Sequence, residues 1–278
     1  MRIIEPIIVN KVNRNTNTHD KSNFEIKLCL DTESYKTKPT DNQASQISLR
    51  IATNEIPLKN KKDIIKFVES VGKQGYAFCP ATFKNELRSK ANFIQMQLLA
   101  LDFDDTIPLK NVQERAKEYQ LPILFIYETF SSINQNRFRV IFLNNSSITD
   151  RTLAEIALNA LLIIFPEADQ SCKDVSRMFY GGKEILYFDD KLPIINPELL
   201  LRNMAFYLWK NRGQNHYKEH IKRLEATHKV RLNEQILCDI SKIENVTEYL
   251  GTQSLQYGKN SPSAIIYTST CGENPPIL

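Results

Sequence analysis

The sequence lacks any apolar run approaching the ~18 residues that a membrane-crossing helix requires, and its N-terminus lacks a signal-peptide pattern. No membrane partner is therefore expected. Cysteine is present but never at a useful spacing. Cys29, Cys79, Cys172, Cys238 and Cys271 are scattered, odd in number and without a CxxC pair. That excludes a disulfide framework and a zinc knuckle, and fits reduced thiols in a cytoplasmic protein. Charge of one sign is also scarce overall, at +4 over 278 residues. It is unevenly placed, however. Between Arg202 and Arg231 eight Lys/Arg stand against Glu219 and Glu225, so this stretch carries +6 and the remainder −2. Such a patch points weakly to nucleic acid, with Lys218, Lys222 and Arg223 as its candidate DNA-binding residues.

What is present centres on Leu98-Leu99-Ala100-Leu101-Asp102-Phe103-Asp104-Asp105, an apolar run that stops abruptly in acid. This reads as a buried strand opening into a site. Side chains two apart on a strand share a face, so Asp102 and Asp104 point together and Phe103 points away. Two carboxylates ~4 Å apart repel by roughly 4 kcal/mol at an intermediate dielectric. A divalent cation removes that cost, and hard oxygen ligands suit Mg2+ or Mn2+.

Upstream, apolar stretches at Ile3–Val9, Phe24–Leu30 and Ile47–Ile51 read as strands separated by exposed polar loops at 13–23 and 34–45. Residues 62–71 have helical spacing, with Gly72 as a C-terminal cap. Tyr76–Phe78 is a short strand, and Arg88 and Lys90 stand where they could reach phosphate. Downstream of Asp105 the pattern predicts a helix at 111–119, a strand at 123–127 and a polar loop at 129–136. That loop is too short to hold a crossover helix, so the next strand, Arg137-Phe138-Arg139-Val140-Ile141-Phe142, must form a hairpin with it. A helix over 150–165 follows, capped by Asp150, and 178–180 and 184–188 are candidates for a closing strand. The order is β-α-β-β-α-β, the split arrangement of ferredoxin-like and RNA-recognition folds, and the fold class is α+β. With the first and third strands adjacent, Arg137 and Arg139 share a face with Asp102 and Asp104. Acids that hold metal beside guanidiniums that hold phosphate suit metal-assisted phosphoryl or nucleotidyl transfer.

LLALDFDD, then YETFSS…RFRVIF, then ADQSCKDVSRMFYGG resemble the three motifs of the archaeo-eukaryotic primase superfamily, over about residues 70–190. The likeness is to primase-polymerases of phages, plasmids and mobile elements. The resemblance implies a primase-polymerase domain at 1–195, with an N-terminal α/β unit at 1–95 and an RNA-recognition-like module at 96–195. A basic helical appendage at 196–250 and a tail or linker at 251–278 complete the chain. It also implies two divalent ions held by Asp102, Asp104 and Asp169, and an incoming nucleoside triphosphate met by Arg177, Arg137, Arg139 and Lys183. Gly181-Gly182-Lys183 would form a tight turn at the site. The implied partners are a single-stranded DNA template, nucleoside triphosphates and a replicative helicase. The sequence departs from the family at its second motif, where Arg137 and Arg139 replace a Ser and a His. Arginine does not titrate near neutral pH, so metal ions would have to activate the primer hydroxyl, with Ser131 and Ser132 supplying part of the lost contact.

Two alternatives stand beside this reading. Asp102-Phe103-Asp104-Asp105-Thr106 is also DxDxT, the motif of haloacid-dehalogenase-type phosphatases. There Asp102 would be nucleophile, Asp104 acid/base, Thr129 or Ser131 the phosphate-holding hydroxyl, and Asp189-Asp190 the second acid pair. A DNA-binding replication-initiation protein with altered catalysis is the other. His216-Tyr217-Lys218-Glu219-His220 spells HxxEH, but in a basic segment without a third ligand it reads as a solvated helix.

Overall fold

The computed structural model describes residues 25–195 and 197–212, and single residues at 219, 222, 223 and 226. The chain divides into two compact units, one of residues 22–204 and one of 1–21 with 205–278. The expected strand at 3–9, the tail beyond 250, and His216, Lys218 and His220 lie outside the described residues. No helix among the described residues is long and apolar enough to cross a membrane.

The larger unit begins with β1 (Ile26–Ser34), α1 (Asp41–Thr53), β2 (Glu55–Leu58), α2 (Lys61–Glu69) and β3 (Tyr76–Cys79). β1 lies between β2 and β3 in an antiparallel sheet. Ile47–Ile51, expected as a strand, is instead the middle of α1. Thr40 starts that helix with a capping box, its hydroxyl accepting from the Gln43 amide while the Gln43 side chain accepts from the Thr40 amide. Ile47 and Ile51, four apart, are the buried pair on its inner face. The same apolar letters at 47 and 51 suit either period, and the cap decides for helix. α2, capped by Asn60, runs into a π-turn over Ser70–Gln74 and ends at Gly75, whose φ of 86° is the left-handed closure. Gly72, expected as that closure, lies buried within the π-turn.

The second sheet follows as β4 (Ala81–Phe83), β5 (Phe93–Asp104), α3 (Leu109–Glu118), β6 (Phe125–Thr129), β7 (Arg137–Ile148), α4 (Arg151–Ile164), β8 (Gly182–Phe188) and β9 (Ile194–Ile195). Its order is β4-β5-β7-β6-β8, with β9 parallel to β7. From β5 to β8 the chain order is β-α-β-β-α-β, but the closing strand is not where an RNA-recognition sheet would put it, beside β5. β4 already pairs with that edge, so β8 pairs with β6. Met178–Tyr180 does not join this sheet; Phe179 bridges to Phe78 of β3. β5–β7 and β6–β7 are antiparallel, which is incompatible with the repeated parallel units of the dehalogenase-type phosphatase.

β5 is buried almost without a break from Gln95 to Phe103, so both of its faces are covered. On one face Phe103 stacks on Phe138 at 5.1 Å and meets Phe165, just past α4, edge-on at 6.2 Å. On the other, Phe67 of α2 sits edge-on to Phe125 of β6 at 5.9 Å and to Phe78 of β3 at 5.4 Å. α5 (Pro197–Arg212) then begins, and Asn203 donates to the Tyr119 carbonyl.

Candidate active site

The β5–β7 register pairs Asp102 with Arg139, Phe103 with Phe138 and Asp104 with Arg137. Directly opposed residues share a face, so both acids and both arginines stand together while the two phenylalanines go to the α4 side. The split β-α-β-β-α-β arrangement, with its first and third strands adjacent, predicts this pairing, and the structure has it. One strand further on, Tyr127 of β6 is opposite Arg139.

Asp102 is 3% exposed and lies between two cations. Arg139 Nη2 donates to its Oδ2 at 3.1 Å, and Arg177 Nη2 donates to the same oxygen at 3.1 Å. Arg139 Nε is 3.0 Å from Oδ1, close as an ion pair but not aligned as a hydrogen bond, so both atoms are buried without an aligned partner. The compensation that two neighbouring carboxylates require thus comes, in this fold, from guanidinium groups. The outer pair is looser: Arg137 Nη1 is 3.8 Å from Asp104 Oδ1, and both side chains are substantially exposed.

Arg139 is fixed from several sides. Its Nη1 donates to the Tyr180 carbonyl and, at 3.4 Å, to the Tyr127 hydroxyl, which itself donates to Tyr180 O at 2.9 Å. Burial opposes its charge, but Tyr127 and Asp102 outweigh that and hold its proton even more firmly than usual. Burial likewise pushes the Tyr127 phenol up to about 12, against the pull of Arg139. Phe179 supplies an aromatic face 5.7 Å from the Arg139 guanidinium and 5.3 Å from that of Arg177.

Asp169, 67 positions after Asp102, arrives through the backbone: its amide donates to the Asp102 carbonyl at 2.8 Å. Its carboxylate accepts from the Ser171 amide and hydroxyl at 2.9 and 2.8 Å, and is ion-paired with Arg177 Nη2 at 2.8 Å. Burial raises its pKa, but the Ser171 bonds and Arg177 prevail and hold it below the usual carboxylate range. One nitrogen of Arg177 therefore bridges Asp102 and Asp169. Among the described residues, no three His, Cys, Asp or Glu side chains gather as a metal-binding group.

A cavity of about 210 Å3 opens here, lined by Asp102, Asp104, Arg137, Arg139, Arg177 and Ser131. These are six of the residues that sequence reasoning selects. The lining also includes Thr129 and Gly181, which the sequence places at the site in other roles, and residues it passes over: Lys38 from the loop before α1, Phe130 and Tyr180. The Thr129 hydroxyl is buried without a hydrogen-bond partner. Lys38 sits in a stretch read only as exposed loop, and nothing in its neighbours signals that the loop reaches the second sheet.

Other selected residues lie elsewhere. Lys183 is not part of the lining; its amine donates to Ser132 O at 2.8 Å and is 3.4 Å from Glu128. Glu128 in turn accepts from the Gln135 amide, so Lys183 and Glu128 brace the β6–β7 loop that carries Ser131. Ser132 serves the same loop, accepting from the Arg137 amide. Gly181 and Gly182 make a close backbone approach rather than the expected tight turn. A Cβ on Gly181 would lie 2.3 Å from the Gly75 carbonyl carbon, and one on Gly182 2.2 Å from Glu128 O. Asp189 and Asp190 follow the end of β8 that pairs with Phe125, and Ile185 is the β8 residue beside Tyr127. Four residues of strand, about 13 Å, separate that row from Asp189. Asp190 pairs with Lys61 at 2.9 Å, so the phosphatase's second acid pair does not reach Asp102. Lys222 and Arg223 are exposed, and Arg223 lies 3.6 Å from Glu219.

No family model matches this chain, and no curated protein matches it. Among solved structures it is similar to the archaeo-eukaryotic primase domain of the cyanophage S-2L primase-polymerase, with a TM-score of 0.38 and 10% identity over 65% of this chain and 88% of that one.

Proposed function

We propose that this chain is a primase-type nucleotidyltransferase acting with nucleoside triphosphates on a single-stranded DNA template. One observation carries the reading. The β5–β7 register sets Asp102 and Asp104 against Arg139 and Arg137 on one face, and the Asp169 amide is hydrogen-bonded to Asp102 itself. Asp169, 67 positions on, is thus tied by its backbone to the strand that carries Asp102 and Asp104, beside guanidiniums that can receive phosphate, although it does not line the sheet-face cavity itself.

Asp102, Asp104 and Asp169 are hard oxygen donors of the kind Mg2+ or Mn2+ takes, but both oxygens of Asp102 face guanidiniums, Oδ1 that of Arg139 at 3.0 Å and Oδ2 those of Arg139 and Arg177 at 3.1 Å. Loading such an ion requires Arg177 to release its bridge between Asp102 and Asp169. When bound, divalent ions lower the pKa of an attacking hydroxyl and neutralise phosphate oxygens. Arg139, held by Asp102, by Tyr180 O and by Tyr127, is fixed in orientation on the cavity wall. Arg137, on the open rim, and a released Arg177 would neutralise the remaining triphosphate charge. None of the three can act as general base, so these arginines serve to bind and neutralise phosphate and not to take the proton of the attacking hydroxyl.

The test is incubation with single-stranded DNA, labelled nucleotides and Mn2+ or Mg2+, resolving the products by size. Short oligomers are expected, and Asp102→Asn, Asp104→Asn or Asp169→Ala should remove them while Asp190→Ala leaves them unchanged. A second reading, a nucleic-acid-binding initiation protein with altered catalysis, draws on the Arg177 bridge that occupies both acids. Nucleotide binding without incorporation under every metal condition would select it.

A further inference from the structure

A second cavity, of about 480 Å3, adjoins the first. Arg139, Arg177 and Tyr180 line both, so these three side chains form a shared wall. The difference in size matters. Small-molecule sites typically span about 300–1,000 Å3. The sheet-face cavity falls below that range and the second lies within it.

The second cavity is strongly cationic. Besides the two shared arginines it is lined by Arg88, Lys90 and Lys173, against the single carboxylate of Asp174. That carboxylate is largely occupied, since Asp174 Oδ1 accepts from the Ser176 amide and hydroxyl at 2.9 and 2.7 Å. Lys90 is only loosely paired with it, at 3.8 Å. Arg88 is oriented from behind by Ser48 Oγ at 2.8 Å and by the Ser176 carbonyl. Lys173 is exposed and has no partner among the described residues. Arg139 and Arg177 already face Asp102 and Asp169, but Arg88, Lys90 and Lys173 have only Asp174 among the lining residues, so the cavity keeps an excess of positive charge that favours a phosphate.

We infer that this cavity is a second oxyanion site, which takes a phosphate group of a ligand extending past the Arg139–Arg177 wall. The inference rests on the sheet-face site handling phosphorylated ligands, but not on that site catalysing transfer. The phosphate belongs either to the tail of a nucleoside triphosphate or to the backbone of the bound strand.

The double variant Lys90→Gln/Lys173→Gln separates these sources. Both side chains are exposed and make no tight structural contact, so the fold is expected to persist, which circular dichroism checks. Binding of ATP and of oligothymidylate is measured on wild type and variant, the latter across a salt series. A loss of ATP affinity of about tenfold or more, with the strand unaffected, assigns the pocket to the triphosphate. A salt slope for oligothymidylate flatter by ~1.4, from two lost contacts at ~0.7 each, assigns it to the strand. Unchanged binding in both arms overturns the inference. If wild type incorporates no nucleotide yet the variant still loses binding, the pocket stands and the catalytic reading falls.

Discussion

Replacing Asp102 by Ala tests the central ion pair directly. Asp102 and Arg139 side chains are 4% and 11% exposed, so this is a buried pair and not a surface one. Removing one partner of such a pair costs about 3–5 kcal/mol, because the other charge is left without compensation. Two features place this case at the lower end. Arg177 keeps Asp169 at 2.8 Å, and Arg139 keeps the Tyr180 carbonyl. The expected loss is therefore about 3 kcal/mol, a large part of the ~5–15 kcal/mol of a typical domain. In urea, with a slope of about 2 kcal/mol per molar, the unfolding midpoint should fall by about 1.5 M. The double variant Asp102→Leu/Arg139→Met removes both charges and should recover most of that loss, since apolar replacement of a whole buried pair is often neutral. A loss below about 1 kcal/mol in the single variant, as for exposed pairs, would refute the account. So would a double variant no better than the single one.

Three further outcomes follow from the same geometry. Gly182→Ala puts a Cβ 2.2 Å from Glu128 O and 2.5 Å from the Tyr127 ring, so thermal unfolding should show a loss of about 1–3 kcal/mol; wild-type stability would mean that β6 and β8 are more widely spaced than described. Burial pushes the Cys29, Cys79 and Cys172 thiols up to about 12, so mass-mapped alkylation at pH 8 should miss these three in the native protein and reach them in urea. The carboxyls of Asp169 and Glu167 are resisted by burial but held low overall, by Ser171 with Arg177 and by Arg115 respectively. A depressed folded pKa stabilises above the unfolded value and ceases to do so as pH falls through the folded one. Acid titration of stability should thus show a decline beginning in the ordinary carboxylate range and continuing below it, and Asp169→Asn should make the decline shallower; an unchanged profile would refute the Asp169 contribution.

The face shared by Asp102, Asp104, Arg137 and Arg139 is legible in the sequence only in part. Alternation along each strand and a loop too short for a crossover are local facts, whereas the adjacency of the first and third strands comes from the split β-α-β-β-α-β arrangement and not from spacing. The ends of α4 are legible from such local facts, Asp150 accepting from the Leu153 amide as a cap. α1 was not, since Ile47 and Ile51 satisfy either period once the Thr40–Gln43 cap is overlooked. Nor was the place of β8, because which sheet edge is free depends on β4, a three-residue strand with no pattern of its own. The Arg177 bridge depends on a contact 75 positions away, and spacing alone cannot reveal that one nitrogen serves two acids.

The segment from Asp169 to Phe179 is fastened at each end to a different sheet. Asp169 is tied by its amide to β5, and Phe179 exchanges two backbone hydrogen bonds with Phe78 of β3, at 2.8 and 2.7 Å. Arg177 rides on this strap two residues before the second fastening. Its reach to Asp102 therefore adds a side-chain link to the two backbone ones, so the same short segment stitches β3 and β5 together at three points.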